Sequence, residues 1–221
     1  YLLMPEMSEP GPILYLIPLL LCATIIPIHK IVIPSKYSDL YTNGNWFRAI
    51  FLFIFTWLAF SFIVSNPPLA DIAPPTLAGG IDVEETDAIE DVSWKNGVYT
   101  IDMNQDTVDV ILGMAVRDNV DADSVEINAV IYYRGDVMQE LANGTVISHV
   151  EEIEMFDSIS NWTRGKSVAP HNSDVGLAWD LGTLGPGEYT IEITMTEDGS
   201  PWENTTELTY TISIAQTTVL D

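Results

Sequence analysis

The chain has 221 residues, enough for one globular domain and a few membrane segments, and a formal net charge of −24. So large an excess of negative charge repels the phosphates of nucleic acid, so nucleic acid is excluded as a partner. The sequence contains a single cysteine, so an intramolecular disulfide is excluded and any domain depends on its core for stability.

Acidic residues are concentrated in the second part of the chain. Up to Ala70 three acidic residues stand against three basic ones, so the whole excess of −24 lies from Asp71 onward. Carboxylates retain water and keep a protein surface soluble in concentrated salt. The sequence therefore predicts a nearly neutral first part and an acidic, water-facing second part, a composition typical of an archaeon or another extremophile.

The first ten residues, expected to be extracytoplasmic, precede an apolar run at residues 11–29. This run is just long enough to cross a bilayer as a helix, and Pro18 within it predicts a kink. A signal peptide is the alternative, but the preceding residues are acidic and no small-residue cleavage site follows. Lipid attachment at Cys22 is disfavoured because a bulky leucine precedes it. We therefore predict a proline-kinked transmembrane helix over 11–29.

A short basic loop, residues 30–46, follows the first run. It contains Lys30 and Lys36, and Arg48 lies just beyond it. Short loops rich in Lys and Arg remain cytoplasmic, and aromatic residues such as Tyr37 and Trp46 collect at the membrane interface. We therefore expect the loop to be cytoplasmic and both the N- and C-termini to be extracytoplasmic.

A second apolar run, residues 47–66, is the clearest feature of the sequence. After Arg48 no charged residue occurs before Asp71. About 20 apolar residues in a helix span the roughly 30 Å hydrocarbon core of a bilayer. A backbone surrounded by lipid must satisfy its own hydrogen bonds, which a helix does. The sequence therefore predicts a second transmembrane helix and a multi-pass protein of the cell membrane.

Residues 67–91 are predicted to be an acidic linker rich in proline and glycine. Proline pairs at 67–68 and 74–75 favour an extended, semi-rigid backbone, and the pair Gly79-Gly80 ends it. The residues after Gly80 are acidic and show no clear periodicity. Such a spacer would hold the following domain clear of the lipid headgroups.

Residues 92–216 have the pattern of an antiparallel β-sandwich, with a short tail at 217–221. Apolar and polar residues alternate, as at residues 188–196, and turn sequences rich in Gly and Asn separate the segments. No helical periodicity is found in this half. About seven short strands at this spacing are typical of a sandwich. The predicted strands are 98–103, 107–116, 125–134, 146–155, 175–181, 188–196 and 207–214.

One local motif narrows the fold class. Leu184, Pro186, Gly187 and Tyr189 resemble the tyrosine corner of immunoglobulin-like and fibronectin-III-like sandwiches. The resemblance implies that the Tyr189 hydroxyl bonds back to the turn and that Tyr189 begins the penultimate strand. We therefore expect an extracytoplasmic immunoglobulin-like domain behind two N-terminal transmembrane helices.

Three glycosylation sequons, at Asn143, Asn161 and Asn204, all lie in the predicted outer half. Their placement agrees with the topology, so these asparagines are candidate modification sites and the protein a candidate glycoprotein. A further acidic stretch, with Asp118, Asp121, Asp123 and Glu126, offers oxygen ligands of the kind calcium prefers. Its spacing lacks the glycine and distal glutamate of an EF-hand loop, so a solvated connection between strands is the preferred interpretation.

The order of elements, with two spans before an outer β domain, resembles subunit II of haem-copper oxidases. In that family the outer domain holds a dinuclear copper site built from two cysteines, two histidines, a methionine and a carboxylate. The outer half here has no cysteine, and its histidines, His149 and His171, stand apart, while His29 lies in the first span. We therefore expect no copper centre, no metal and no cofactor, which leaves only a copper-free, quinol-oxidase type of subunit II as a related hypothesis.

No catalytic motif is found. A Ser/His/Asp arrangement, a cysteine nucleophile and a glycine-rich phosphate loop are all missing from the sequence, so no enzymatic activity is expected. The sequence favours an accessory or structural subunit of a larger integral membrane complex, with membrane lipid and other membrane subunits as partners. The alternative is a free-standing surface protein, for adhesion or envelope structure, with a ligand-binding immunoglobulin-like domain.

Overall fold

The computed structural model describes residues 12–169, 171–200 and 202–216, with side chains from Leu20 onward. The chain divides into two compact units. The first, which we call the helical unit, is Tyr1–Ile72 with Ser200–Trp202. The second, the β unit, is Ala73–Gly199 with Glu203–Asp221.

The helical unit contains α1 (Pro12–Val32), the single-turn α2 (Ser35–Ser38) and α3 (Asn43–Val64). In the described part of the chain, α3 is the one helix long and apolar enough to cross a membrane. None of its 22 residues is buried. The part of α1 with described side chains, Leu20–Val32, is apolar but shorter than a span, so among the described residues only the second of the two predicted spans is found. The kink near Pro18 stays a prediction.

The two long helices meet along one side of α1. Between Leu20 and Val32 the least exposed residues are Cys22, Ile25 and His29, and their spacing of three and four places them on one helical face. The His29 ring lies 5.8 Å from that of Trp46 in α3, measured between ring centroids, and 6.5 Å from that of Tyr41. This contact brings the end of α1 next to the start of α3.

In its described residues, the β unit contains nine strands, the helix α4 (Val150–Ser158) and three short 3-10 turns, which begin at Ala122, Val146 and Gly165. The strands are β1 (Thr76–Val83), β2 (Ile89–Lys95), β3 (Val98–Met103), β4 (Val108–Arg117), β5 (Glu126–Tyr133), β6 (Asp136–Thr145), β7 (Val175–Leu184), β8 (Gly187–Glu197) and β9 (Asn204–Gln216).

The strands form two sheets. The small sheet has the order β1-β4-β7, and the large sheet has the order β2-β3-β9-β8-β5-β6. All neighbours are antiparallel except β3 and β9, which run parallel. These two strands come from opposite ends of the unit, so no tight turn dictates that they be antiparallel. The purely antiparallel prediction is wrong for this pair.

One hydrophobic core lies between the sheets. Alternate residues of β4 (from Val108 to Val116) and of β8 (from Tyr189 to Met195) are buried and contribute to the same cluster. The residues between them on β8, such as Glu192 and Thr194, face outward. Two sheets that share one core through alternating residues form a β-sandwich, as the periodicity predicts.

The structure differs from the prediction in three segments. β1 and the first part of β2 occupy residues predicted as linker, and β6 was not predicted because its sequence is largely polar. Residues 146–155, predicted as a strand, begin with a 3-10 turn and continue into α4. Glu151 and Glu152 lie in the first turn of α4, where carboxylates favour a helix, and Ile153 and Phe156 face inward at helical spacing.

These bounds predict which fragment of the chain folds by itself. A fragment from Ala73 to Asp221 retains all of β1, and the bond from Thr206 Oγ1 to the Pro75 carbonyl (2.6 Å). We expect it to be soluble and to give a β-type circular dichroism spectrum with cooperative thermal unfolding. A fragment that begins at Ile81 lacks half of β1 and should unfold at a markedly lower temperature. Equal midpoints for the two fragments would show that the first half of β1 is dispensable.

Candidate functional site

Residues 159–168, which we call the strap, lie along the free edge of β1. The Thr163 amide donates to the Val83 carbonyl (3.0 Å), and the Glu85 amide donates to the Asn161 carbonyl (2.9 Å). These bonds have the spacing of an antiparallel ladder, and Glu84 and Trp162 form the bridge between them. The strap therefore extends the small sheet by a short additional strand.

The strap and α4 cover the outer face of the small sheet, which is made of small residues. Ala78, Ala115 and Ala178 are buried there. The rings of Phe156 and Trp162 stack on each other, with centroids 4.9 Å apart. Phe156 lies directly on Gly176, and Trp162 lies on Gly113, where a Cβ atom would collide with the ring in each case. The small Gly and Ala residues of this sheet face therefore leave the space in which the two aromatic side chains pack.

Beneath the strap, Asp82 of β1 is fully buried and accepts several hydrogen bonds. Its Oδ1 accepts from the Thr163 hydroxyl (2.6 Å), the Tyr99 hydroxyl (3.0 Å) and the Val83 amide (2.9 Å). Its Oδ2 accepts from the Arg164 amide (3.0 Å). The Tyr99 and Thr163 hydroxyls also contact each other. We call Asp82, Tyr99, Thr163 and Arg164 the Asp82 cluster, and it joins β1, β3 and the strap.

Arg164 continues the strap's ladder with its side chain. Its Nη1 donates to the carbonyls of Ile81 (2.7 Å) and Gly79 (2.9 Å), which are spaced two residues apart on the edge of β1. The guanidinium also lies 4.9 Å from the centre of a Trp94 ring, where a cation is attracted to the aromatic face. Arg164 thus occupies carbonyls that a neighbouring strand would otherwise bind.

The hydrogen bonds of the Asp82 cluster attach the strap to β1. Burial raises the pKa of the Tyr99 hydroxyl far above its ordinary value, and the nearby Asp82 charge acts in the same direction. Tyr99 is therefore a neutral hydrogen-bond donor at any physiological pH. The Asp82 carboxylate already accepts bonds from within the chain on both oxygens. The arrangement holds the strap on the sheet by internal bonds alone.

The three predicted glycosylation sites occupy different environments. Asn143 is exposed on the edge strand β6, with its amide 2.9 Å from Glu140 Oε1. Asn161 is exposed in the strap, but the hydroxyl of its sequon partner Thr163 lies in the Asp82 cluster. Asn204 is buried, and its amide donates to Glu197 Oε1 (2.8 Å). Glycosylation stays a prediction; in the folded chain Asn143 and Asn161 are exposed, whereas Asn204 is buried.

The predicted corner lies at the start of β8. Leu184 ends β7, Pro186 occupies the turn, Gly187 is the first residue of β8, and the Tyr189 hydroxyl donates to the Gly185 carbonyl (3.1 Å). The Tyr189 ring stacks on that of Tyr133, with centroids 4.7 Å apart. β8 is the penultimate strand of the unit, and β9 is the last.

In the acidic stretch from Asp118 to Glu126, two carboxylates accept hydrogen bonds from the neighbouring backbone. Asp118 Oδ2 accepts from the amides of Val120 (2.7 Å) and Asp121 (2.9 Å). Asp121 accepts from the Asp123 amide (3.2 Å) and begins a 3-10 turn. Glu126 is exposed on β5. The carboxylates of Asp118 and Asp121 thus act as turn acceptors in a connection between strands.

The two histidines of the β unit lie in different local structures. His149 immediately precedes α4, and its Nδ1 is 3.7 Å from Glu152 Oε2. The strand predicted over residues 146–155 would contain His149, but the structure places it between a 3-10 turn and α4. His171 is exposed, and its amide donates to Asp174 Oδ2 (2.8 Å).

Sequence reasoning missed the Asp82 cluster and the ion pair of Arg117 with Asp174. Arg117 donates to both carboxylate oxygens of Asp174, from Nε to Oδ1 (2.6 Å) and from Nη2 to Oδ2 (2.8 Å). The signal available for Asp82 was an acidic residue between apolar neighbours, Ile81 and Val83, in a segment taken as linker. No sequence pattern links residues 82, 99 and 163, because their contacts arise from the fold.

No model of a known protein family matches the chain, and no curated protein matches its sequence.

The Asp82 cluster predicts unequal effects for two identical substitutions. Tyr99→Phe removes a buried hydroxyl that bonds Asp82, and we expect it to lower the free energy of unfolding by about 1–2 kcal/mol. Tyr132→Phe changes the partly exposed outer face of β5, and we expect it to cost less than about 0.5 kcal/mol. Urea unfolding of the Ala73–Asp221 fragment measures both. Asp82→Ala leaves several donors unpaired and should therefore lower the free energy of unfolding by more than Tyr99→Phe does. Equal losses for Asp82→Ala and Tyr99→Phe would contradict the role of the Asp82 cluster.

The Arg117–Asp174 pair predicts a pH dependence of stability. The Arg117 guanidinium holds the pKa of the fully buried Asp174 carboxyl below its ordinary value. A carboxyl whose pKa is lowered by folding contributes stability above its unfolded pKa of about 3.9 and loses it as the pH falls through the folded pKa.

Asp174→Asn should therefore destabilise the β unit most at neutral pH, and the difference from the parent chain should shrink on acidification below about pH 4. Asp91→Asn, at an exposed position of β2, is the control and should show little difference at either pH. Thermal unfolding across this pH range provides the measurement. A difference for Asp174→Asn that stays constant with pH would argue against the ion pair.

Proposed function

We propose that this protein is a non-catalytic accessory subunit of a larger integral membrane complex, whose acidic β-sandwich stands on the outer side of the membrane. The observation that carries the proposal is α3, an apolar helix of 22 residues with no buried residue. In water such a surface is strongly unfavourable, since each Å² of exposed apolar area costs about 25 cal/mol. It therefore requires lipid, partner helices or both.

The pattern of side chains on one side of α3 favours partner helices over lipid alone. Phe47, Phe51, Phe55 and Phe62 follow one another at spacings of four and seven residues, and each is more than half exposed. At about 100° per residue these rings share one face of the helix, which we call the Phe ridge. Two half-buried residues lie on the other side: Trp46, which contacts His29 of α1, and Phe53. Regular ridges of this kind pack into the grooves of neighbouring helices.

The β unit supports the outer, structural part of the proposal. Its polar outward faces and acidic surface suit a water-facing domain, and the chain order places it directly after the apolar helix and its short proline-rich continuation. The Tyr189–Gly185 bond at the start of the penultimate strand supports an immunoglobulin-like class of sandwich. Domains of this class serve in recognition and architecture, although a fold by itself does not define a function.

Purification in mild detergent followed by native mass spectrometry tests the proposal. We expect the tagged chain to carry other membrane proteins in fixed stoichiometry. A variant with Phe51→Leu and Phe55→Leu should lose them, while Phe60→Leu, about 180° away from Phe51 on α3 and similarly exposed, should retain them. Recovery of a single monodisperse chain would instead favour the free-standing surface protein.

The orientation is tested separately with cysteines in a Cys22→Ser background. Ser38 is buried, so a cysteine there would resist labelling on either side of the membrane. Ser35 and Ser173 are exposed and are the better positions. In intact cells an impermeant thiol reagent should label Ser173→Cys and label Ser35→Cys only after permeabilisation. Labelling of Ser35→Cys in intact cells would overturn the assigned orientation.

A further inference from the structure

We propose that the segment between α1 and α3 binds the headgroups of anionic lipids through Lys30, Lys36 and Arg48. This inference rests on the proposed insertion of the helical unit in a membrane. We call residues 30–48 the basic segment. It holds three of the chain's eight Lys and Arg residues, but only one acidic residue, Asp39.

The cations of the basic segment are not neutralised by the chain. Lys30, Lys36 and Arg48 are all exposed, and none forms an ion pair with a carboxylate in the part of the chain that the structure describes. In the β unit, by contrast, Arg117 forms a two-point ion pair with Asp174, and Arg164 donates to backbone carbonyls. Three exposed cations without a carboxylate partner in one short segment are available to an external anion.

The structure brings these cations to one end of the helix pair. Lys30 lies in the last turn of α1, Lys36 in α2, and Arg48 in the second turn of α3. The contact between His29 and Trp46 holds the end of α1 beside the start of α3. The ends of apolar helices lie where the hydrocarbon core meets the headgroups, which is the depth of the lipid phosphates.

The neighbours of the cations indicate lipid rather than free phosphate. Ile31, Val32 and Leu40 are at least 73% exposed, so apolar and cationic side chains are presented together. Lys36 Nζ lies 4.7 Å from the centre of the Tyr37 ring, which is itself 54% exposed. A lipid can bind both kinds of side chain, since its phosphate pairs with the cations and its acyl chains pack against the apolar groups. Inorganic phosphate would leave the apolar side chains in water.

The experiment uses the full chain in nanodiscs made of equal parts phosphatidylcholine and phosphatidylglycerol. The protein is extracted into neutral detergent, and retained lipids are identified by mass spectrometry. We expect phosphatidylglycerol to be enriched over phosphatidylcholine. The variant Lys30→Gln, Lys36→Gln, Arg48→Gln should lose this enrichment, at about fivefold in affinity per cation removed. The matched control, Lys95→Gln, Arg134→Gln, Lys166→Gln, removes the same charge from the β unit and should retain it.

Two further arms make the result decisive. Inorganic phosphate at matched ionic strength should not displace the retained lipid, and displacement would show that the segment binds free phosphate instead. Equal retention of both lipids, or equal enrichment in the basic-segment variant and its control, would overturn the inference. Both leaflets of the nanodisc have the same composition, so the expected lipid enrichment is the same if the protein inserts in the opposite orientation.

These outcomes are independent of the proposed subunit role. Loss of lipid enrichment while partner subunits still co-purify would reject lipid binding and leave the proposed function standing. Lipid enrichment on a chain that purifies without partners would support lipid binding and reject the accessory subunit.

Discussion

The β unit depends on a carboxylate buried where its two sheets meet. Asp82 lies on β1, a strand that passes through a pair of glycines with positive φ, Gly79 and Gly80, and joins β4 with a shift in register. The irregular strand is held by the groups that bond Asp82: Tyr99 from the large sheet, and Thr163 and Arg164 from the strap. A buried carboxylate without these donors would be strongly destabilising, so β1 and the strap are in place only together.

The same arrangement explains how an unusually acidic domain keeps a compact core without disulfides. Two of its three arginines, Arg117 and Arg164, each contact several groups of the fold at once. Arg164 contacts two carbonyls and an indole, and Arg117 forms a two-point pair with Asp174. The surface carboxylates then repel one another, and few cations offset this repulsion. The stability of the domain therefore depends on the apolar core and on these internal bonds.

The regular parts of the fold could be predicted from the sequence, and the irregular parts could not. β3, β4, β5, β7, β8 and β9 alternate clearly, and α3 is long and apolar, so periodicity and length place them. β1 is interrupted by glycines, β6 is polar, and α4 is a short segment whose apolar residues suit either a strand or a helix. The Asp82 cluster escapes prediction for another reason: residues 82, 99 and 163 are distant in sequence, and only the packing of the sheets brings them together.

Edge protection connects the architecture of the β unit with the role proposed for it. A domain tethered to a membrane is concentrated in two dimensions with its own copies, so an open strand edge would invite pairing between chains. β1 is covered by the strap and by the Arg164 side chain, and β6 pairs with β5 through two register shifts. β2, another edge strand, carries exposed Glu90 and Asp91. With these three edges protected, the sandwich is less prone to join identical copies strand to strand, which favours α3 and its Phe ridge as the surface through which the chain would assemble.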